Sequence, residues 1–243
     1  MKYRKRFYRS WCVKEDGLDF YEVKYRESDL LIKTRGNHRS LVRDLLVKLH
    51  EDIRSYMALD KRFLNSLEPY ESDLPKSRIV SLMFNASKKM GVGPMASVAG
   101  AISRIVGEEL SKISDVVMVE NGGDIFIRSP FEVIVGIFAG ESPFSGRIGI
   151  VIPPTFDGYI GVCASSGTFG HSRSFGVADS AIVVSEDPAV ADAGATALGN
   201  LVQKGNDIGK LLESFILTHE LMGGVVIRGR EMSVFSVELV KIQ

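Results

Sequence analysis

Three short stretches of this 243-residue chain gather groups able to do chemistry. In the first, Ala191-Asp192-Ala193-Gly194-Ala195-Thr196-Ala197, a carboxylate precedes a hydroxyl by four residues in a helical pattern, so the two share one face. No Lys or Arg stands three or four positions either side of Asp192. A buried carboxylate at that position requires a counter-charge, and two hard oxygens on one face suit a Mg²⁺ ion that keeps water and phosphate ligands. The alternative is that Asp192 faces solvent, as most aspartates do. The second stretch, residues 164–174, collects Ser165, Ser166, Gly167, Thr168, His171, Ser172 and Arg173. Backbone amides, hydroxyls and a guanidinium together are the inventory for holding a phosphate, although a plain Ser/Gly surface loop has the same composition. The third, Asn121-Gly122-Gly123-Asp124, reads equally as a hairpin turn or as a bed of exposed amides on which a ligand lies, with Asp124 accepting from it. His171 and Asp124 are the candidate catalytic groups.

The elements that must position these residues are legible from periodicity. Three strand-like stretches, at residues 6–13, 20–25 and 30–34, open the chain and read as a meander. From Asn37 to Met57, Leu41, Leu45, Leu46, Leu49, Ile53 and Tyr56 recur at spacings of three and four, which predicts an amphipathic helix. A linker at 69–75 leads to a second helix over Ser77–Met90. Gly93-Pro94 opens a third, with proline at its first position and with Gly93, Gly100 and Gly107 at intervals of seven. Such a bare stripe permits close approach by a sheet, a helix or a ligand, and Gly93 is carried as a candidate ligand contact. Strands are expected at 115–120, 124–128, 132–138, 147–152, 159–163 and 181–184. A helix from Pro188 to Gln203, capped by Asp187, and strands at 224–227 and 231–240 follow. Runs of strands with helices grouped between them indicate an α+β fold with mostly antiparallel sheet.

Composition narrows the function. Hydrophobic residues make up 45% and charged residues 25%, as in ordinary globular chains. Thirty basic residues balance thirty acidic ones, which leaves no overall footprint for nucleic acid. Cys12 and Cys163 are the only cysteines, too few for a disulfide framework or a cysteine zinc cluster. That usage fits a cytoplasmic chain, and no apolar run reaches the length of a membrane span. Only two of the 24 glycines precede residue 91. Up to Lys112 there are 22 basic and 15 acidic residues, and the imbalance reverses afterwards. We read one composite domain over 1–243, in which a charged framework, 1–75, docks on a glycine-rich part, 76–243. Opposite charge patches equally suit contacts in a homodimer.

Taken together, 93–101 (Gly-Pro-Met-Ala-Ser-Val-Ala-Gly-Ala), Asn121-Gly-Gly-Asp-Ile125, 164–172 and 191–197 resemble an uncharacterised-protein family of the ApbE-like superfamily. The resemblance spans about residues 76–203 and implies a T-fold-like architecture. The better-known members are flavin transferases, which use Mg²⁺ and FAD to attach FMN to a Thr or Ser of a partner protein. By position, Asp192 and Thr196 match the metal-binding pair of the A-D-x-x-A-T-A motif. Ser166-Gly167 resembles the S-G element, His171 the histidine after it, and Gly122-Gly123-Asp124 the end of an N-x-G-G-D turn. Glu120 stands where that turn has Asn, and Ser97 replaces the Lys of a K-G-x-x-x-D helix whose final Asp also has no counterpart. The element H-x-x-D-P-x-T-G is reduced to His171-Ser-Arg-Ser-Phe-Gly176.

Three functions follow as expectations: Mg²⁺-dependent FMN transfer to a protein acceptor or cleavage of the FAD pyrophosphate; a non-catalytic module for FAD or another flavin nucleotide; or an assembly protein without small-molecule chemistry. The ligand-contact candidates are Gly93, Asn121, Gly122, Gly123, Ser165, Ser166, Gly167, Thr168 and Ser172. Asp192 and Thr196 are the metal candidates.

Overall fold

Apolar side chains at every second position give β-strands two distinct faces, and here both faces of the principal sheet are covered. A computed structural model describes residue 9, residues 17–168 and residues 176–242. The strands are β1 (Asp19–Tyr25), β2 (Ser28–Thr34), β3 (Val117–Asn121), β4 (Asp124–Arg128), β5 (Val133–Gly136), β6 (Ile148–Ile152), β7 (Ile160–Ser165), β8 (Ser180–Ser185), β9 (Gly223–Arg228), β10 (Glu231–Phe235) and β11 (Glu238–Lys241). Eight of them form one sheet in the order β1-β2-β3-β4-β7-β8-β9-β10, and β11-β6-β5 form a second. Every pairing is antiparallel.

The helices are α1 (Arg39–Leu59), α2 (Arg62–Asn65), α3 (Arg78–Met90), α4 (Val98–Leu110), α5 (Pro188–Leu201) and α6 (Ile208–Thr218). They cover one face of the large sheet, where Val119, Phe126, Cys163, Val183 and Val226 join the core with the apolar sides of the helices. On the opposite face Ile127, Val162, Ile182, Val184, Val225 and Ile227 pack with Ile150 and Ile152 of the small sheet. The α+β fold with mostly antiparallel sheet is therefore the fold observed.

Boundaries moved where local chemistry competed with periodicity. In α1 the buried stripe is Val42, Leu46, Leu49, Ile53 and Tyr56, whereas Leu41 is exposed. The helix after Gly93 starts with a tight 3-10 turn, Pro94–Ser97, before α4. The single strand expected over 231–240 is two, because Ser236 takes a left-handed φ of 56° and passes the chain from one sheet to the other. Helix α6 was not anticipated, although its signals exist: Asp207 caps the amides of Gly209 and Lys210, and Ile208, Leu212, Phe215 and Ile216 form its buried face. The strand expected at 6–13 lies outside the described residues apart from Arg9.

The glycine stripe is used for approach. A Cβ on Gly107 would lie 2.3 Å from the Phe126 ring, and one on Gly100 would lie 2.2 Å from the Pro188 carbonyl oxygen. Backbone without side chains lets α4 settle onto β4 and against α5. Among the described residues no helix is long and apolar enough to cross a membrane.

Candidate functional site

Asp124 opens β4 and pairs in register with Cys163 of β7. Phe126, two residues on, packs with the helical layer, and the period of two turns Asp124 to the same side. Ser165, two residues beyond Cys163, follows it there. Helix α5 crosses this face. Asp187 caps it by accepting from the Ala189 amide at 2.9 Å and takes Arg104 Nη1 at 2.6 Å, as the Asp-Pro start predicts. Asp192 then reaches the amino terminus of α4, where its Oδ2 accepts from the Gly100 amide at 2.8 Å.

Among the described residues, the positive charge that faces Asp192 is thus that of a helix end. The first amides of a helix have no internal acceptor and carry partial positive charge. Ser97, at the N-cap of α4, does not supply one, since its buried hydroxyl donates to the Pro94 carbonyl at 2.9 Å. Asp192 takes that role from a neighbouring helix. Asp192 is half-buried, and its carboxyl is nevertheless pushed up to about 7 by desolvation, against the opposing pull of the Gly100 and Ala99 amides. Asp124 is raised well above the carboxylate range, by burial first and then by the Asp192 charge, with Glu120 adding to it. Cys163 is raised by burial, then by both aspartates. The two carboxylates therefore form one electrostatic unit.

Two buried polar atoms in this unit, Asp124 Oδ1 and Ser165 Oγ, have no hydrogen-bond partner among the described residues. Buried polar atoms are nearly always paired in native structures, so the pair marks a place for a polar guest. The oxygens there are hard donors of the kind Mg²⁺ takes. Among the described residues no three His, Cys, Asp or Glu side chains are grouped to hold a metal; an ion here would draw further ligands from water or phosphate.

The remaining candidates divide. Asn121 is buried and its Nδ2 donates to the Ala99 carbonyl at 3.4 Å, which ties the glycine turn to α4. Gly122 and Gly123 have φ of 77° and 109°, a conformation that the hairpin itself demands of glycine. Thr196 lies one turn beyond Asp192, half-buried. Thr168 is spent on the loop: its hydroxyl donates to Asp179 at 2.9 Å and its amide to Ser166 Oγ at 3.2 Å. Gly167 donates to the Ala178 carbonyl and packs so closely on Gly176 that a Cβ would lie 2.0 Å from its oxygen. Gly93 is pressed against the Ser66 backbone, 1.8 Å from a built Cβ. His171 and Ser172 lie outside the described residues. Sequence reasoning missed Cys163 and the α4 amides; strand alternation back from Ser165 points to the first, and nothing local signals the second.

A pH dependence follows. Between about pH 4 and 7 the folded metal-free protein keeps a proton on Asp192 that the unfolded chain releases, so this group's contribution falls as pH rises through that window. The difference in Tm between Asp192→Asn and the parent is expected to grow in the variant's favour from pH 5 to 8 without added metal. Thermal unfolding across that range measures it, and a constant difference would contradict it.

The fold is similar to those of solved ApbE proteins. The apo flavinyl transferase ApbE of Pseudomonas stutzeri superposes with a TM-score of 0.52 at 14% identity, covering 90% of this chain and 93% of that one. The ApbE protein of Thermotoga maritima gives 0.53 at 12% identity, covering 92% and 97%. At such identities the likeness establishes the fold. The chain belongs to the family described as AbpE bacteria, which matches residues 9–211. A UPF0280 protein of Methanothrix thermoacetophila is 43% identical over 84% of this chain and 86% of its own length, and one of Archaeoglobus fulgidus is 39% identical over 78% and 77%.

Proposed function

We propose that the protein binds a flavin nucleotide, FAD or a close relative, in a Mg²⁺-dependent manner at the Asp124–Asp192 cluster and acts on its phosphoanhydride bond. The observation that carries this reading is a pair of raised carboxylates, one of them held at the α4 amino terminus, with Asp124 Oδ1 and Ser165 Oγ buried and without a hydrogen-bond partner among the described residues. The ApbE-like fold and family support the flavin. Asp192 and Thr196 would hold the metal, whose chemistry is to neutralise phosphate charge and polarise the phosphoryl group. The chain's own groups do the rest. Gly122 and Gly123 leave room for the ligand against the backbone, and Ser165 Oγ donates to it. Asp124, pushed up by burial first and then by the Asp192 charge, is the proton donor at Oδ1, with His171 as a second candidate for proton transfer. In transfer, the anhydride bond breaks, a Thr or Ser oxygen of an acceptor protein bonds to the FMN phosphorus, Asp124 gives its proton to the departing AMP phosphate, and the hydroxyl proton of the acceptor restores it. Water in place of the acceptor yields FMN and AMP.

One observation favours binding without chemistry. At the position where the resemblance has a lysine, Ser97 is fully buried and bonded to backbone. The test is incubation of the purified protein with FAD, with and without Mg²⁺, followed by thermal shift and chromatography. Ligand that binds only the folded state raises Tm by mass action, about 2.7 kcal/mol at a hundred times Kd. A Mg²⁺-dependent rise with release of AMP is the expected result. FAD bound but intact selects the binding module, and the absence of any shift overturns the proposal.

A further inference from the structure

Glu120, which departs from the Asn that the resemblance calls for, lies on β3 beside the glycine turn. Its Oε1 accepts the Gly123 amide at 2.9 Å. Its Oε2 accepts Arg9 Nε at 2.7 Å, across 111 residues of sequence. The same guanidinium donates to the Asp29 carboxylate at 2.8 Å and to the Asp29 carbonyl at 2.6 Å. It also meets the more exposed Glu22 at 3.3 Å. The Arg9 side chain is 8% exposed and that of Glu120 12%, so these contacts are only weakly screened by solvent. A neutral side chain would hold the Gly123 amide without further help. A carboxylate there adds a negative charge on the side of the turn from which Asp124 enters the site.

We propose that Arg9 is a positioning residue for the site: bridging Asp29 and Glu120, it fixes the Glu120 carboxylate against the Gly123 amide and offsets its charge beside Asp124. The turn from which Asp124 enters the site is thereby anchored to the start of the chain. Planar, multidentate contact of this kind is what arginine provides and lysine does not. The functional half of the proposal rests on the flavin-nucleotide reading above.

The experiment is a double-variant comparison on the full chain, using FAD with Mg²⁺ as the probe and NMR-detected exchange of the Gly123 amide as a second readout. Arg9→Ala should weaken FAD affinity about tenfold or more, because it removes the weakly screened guanidinium contact that orients the Glu120 carboxylate, and should speed exchange at Gly123. Adding Glu120→Gln removes the charge but keeps an oxygen for the Gly123 amide, so the double variant should recover both. A merely structural role for Arg9 predicts no such rescue. Unchanged affinity and exchange in Arg9→Ala, or failure of the double variant to recover either one, overturns the proposal. If Arg9→Ala does not fold, Arg9→Lys, which keeps the charge but not the forked contact, is read in the same way. If the parent protein binds no FAD, the flavin reading falls, and the exchange data alone decide whether Arg9 orders the turn.

Discussion

Replacing Asp192 by asparagine is expected to abolish Mg²⁺-dependent ligand binding, with a loss of about a hundredfold or more, while leaving the protein folded. The amide oxygen of Asn still accepts from Gly100, so the end of α4 stays capped. The negative charge is gone, and with it the repulsion that adds to the effect of burial on Asp124. The metal-free variant should therefore equal or exceed the parent in Tm at pH 8. Asp192→Ala differs instructively, because it also removes the acceptor for the α4 amides, a loss worth about 1 kcal/mol at helix starts. Titration calorimetry with FAD at fixed Mg²⁺, alongside thermal unfolding, separates the two roles. Retention of full Mg²⁺ dependence by Asp192→Asn would reduce Asp192 to a structural cap.

The second large effect concerns Gly100. A methyl group at this position meets the Pro188 carbonyl oxygen at 2.2 Å and the Asp192 Cβ at 2.7 Å. Neither neighbour is the free end of a flexible side chain, so α4 and α5 must separate. Overpacking of this kind costs about 1–3 kcal/mol, against which alanine's better helix propensity returns up to about 1 kcal/mol. Gly100→Ala is expected to lower Tm by several degrees, at about 2–4 °C per kcal/mol for a chain of this size. It should also weaken ligand binding, since the displaced amide is the one that Asp192 holds. Gly136→Ala, whose nearest atom is a side-chain methyl at 3.4 Å, is the control and should be close to neutral. A Gly100→Ala protein as stable as the control would show that the helix contact is softer than its geometry.

How much of this was legible beforehand depended on the range of the interaction. Most strands, helices α1, α3 and α5, the Asp187 cap and the two-glycine turn follow from neighbours a few residues apart, and these stood where periodicity and turn chemistry put them. Helix α6 is less legible because its apolar pattern, Ile208, Leu212, Phe215 and Ile216, spans little more than two turns. The break at Ser236 escaped because alternation continues across it, and only the presence of two sheets forces the bend.

The site divides along the same line. Local sequence established that Asp192 has no basic partner within reach on its own helix, that Thr196 shares its face, and that Asn121–Asp124 turns the chain. It did not show what answers the Asp192 charge. That answer is the end of α4, 92 residues away in sequence, and it exists only because Gly100 lets two helices touch. The action of the Asp192 charge on Asp124, the burial of Cys163 and the Arg9–Glu120 contact are likewise products of strand register and helix docking. Periodicity and capping act over one turn of chain, whereas desolvation and charge–charge interaction act through space. For that reason the sequence alone determined which residues were candidates, and the tertiary structure decided which of them share an electrostatic environment.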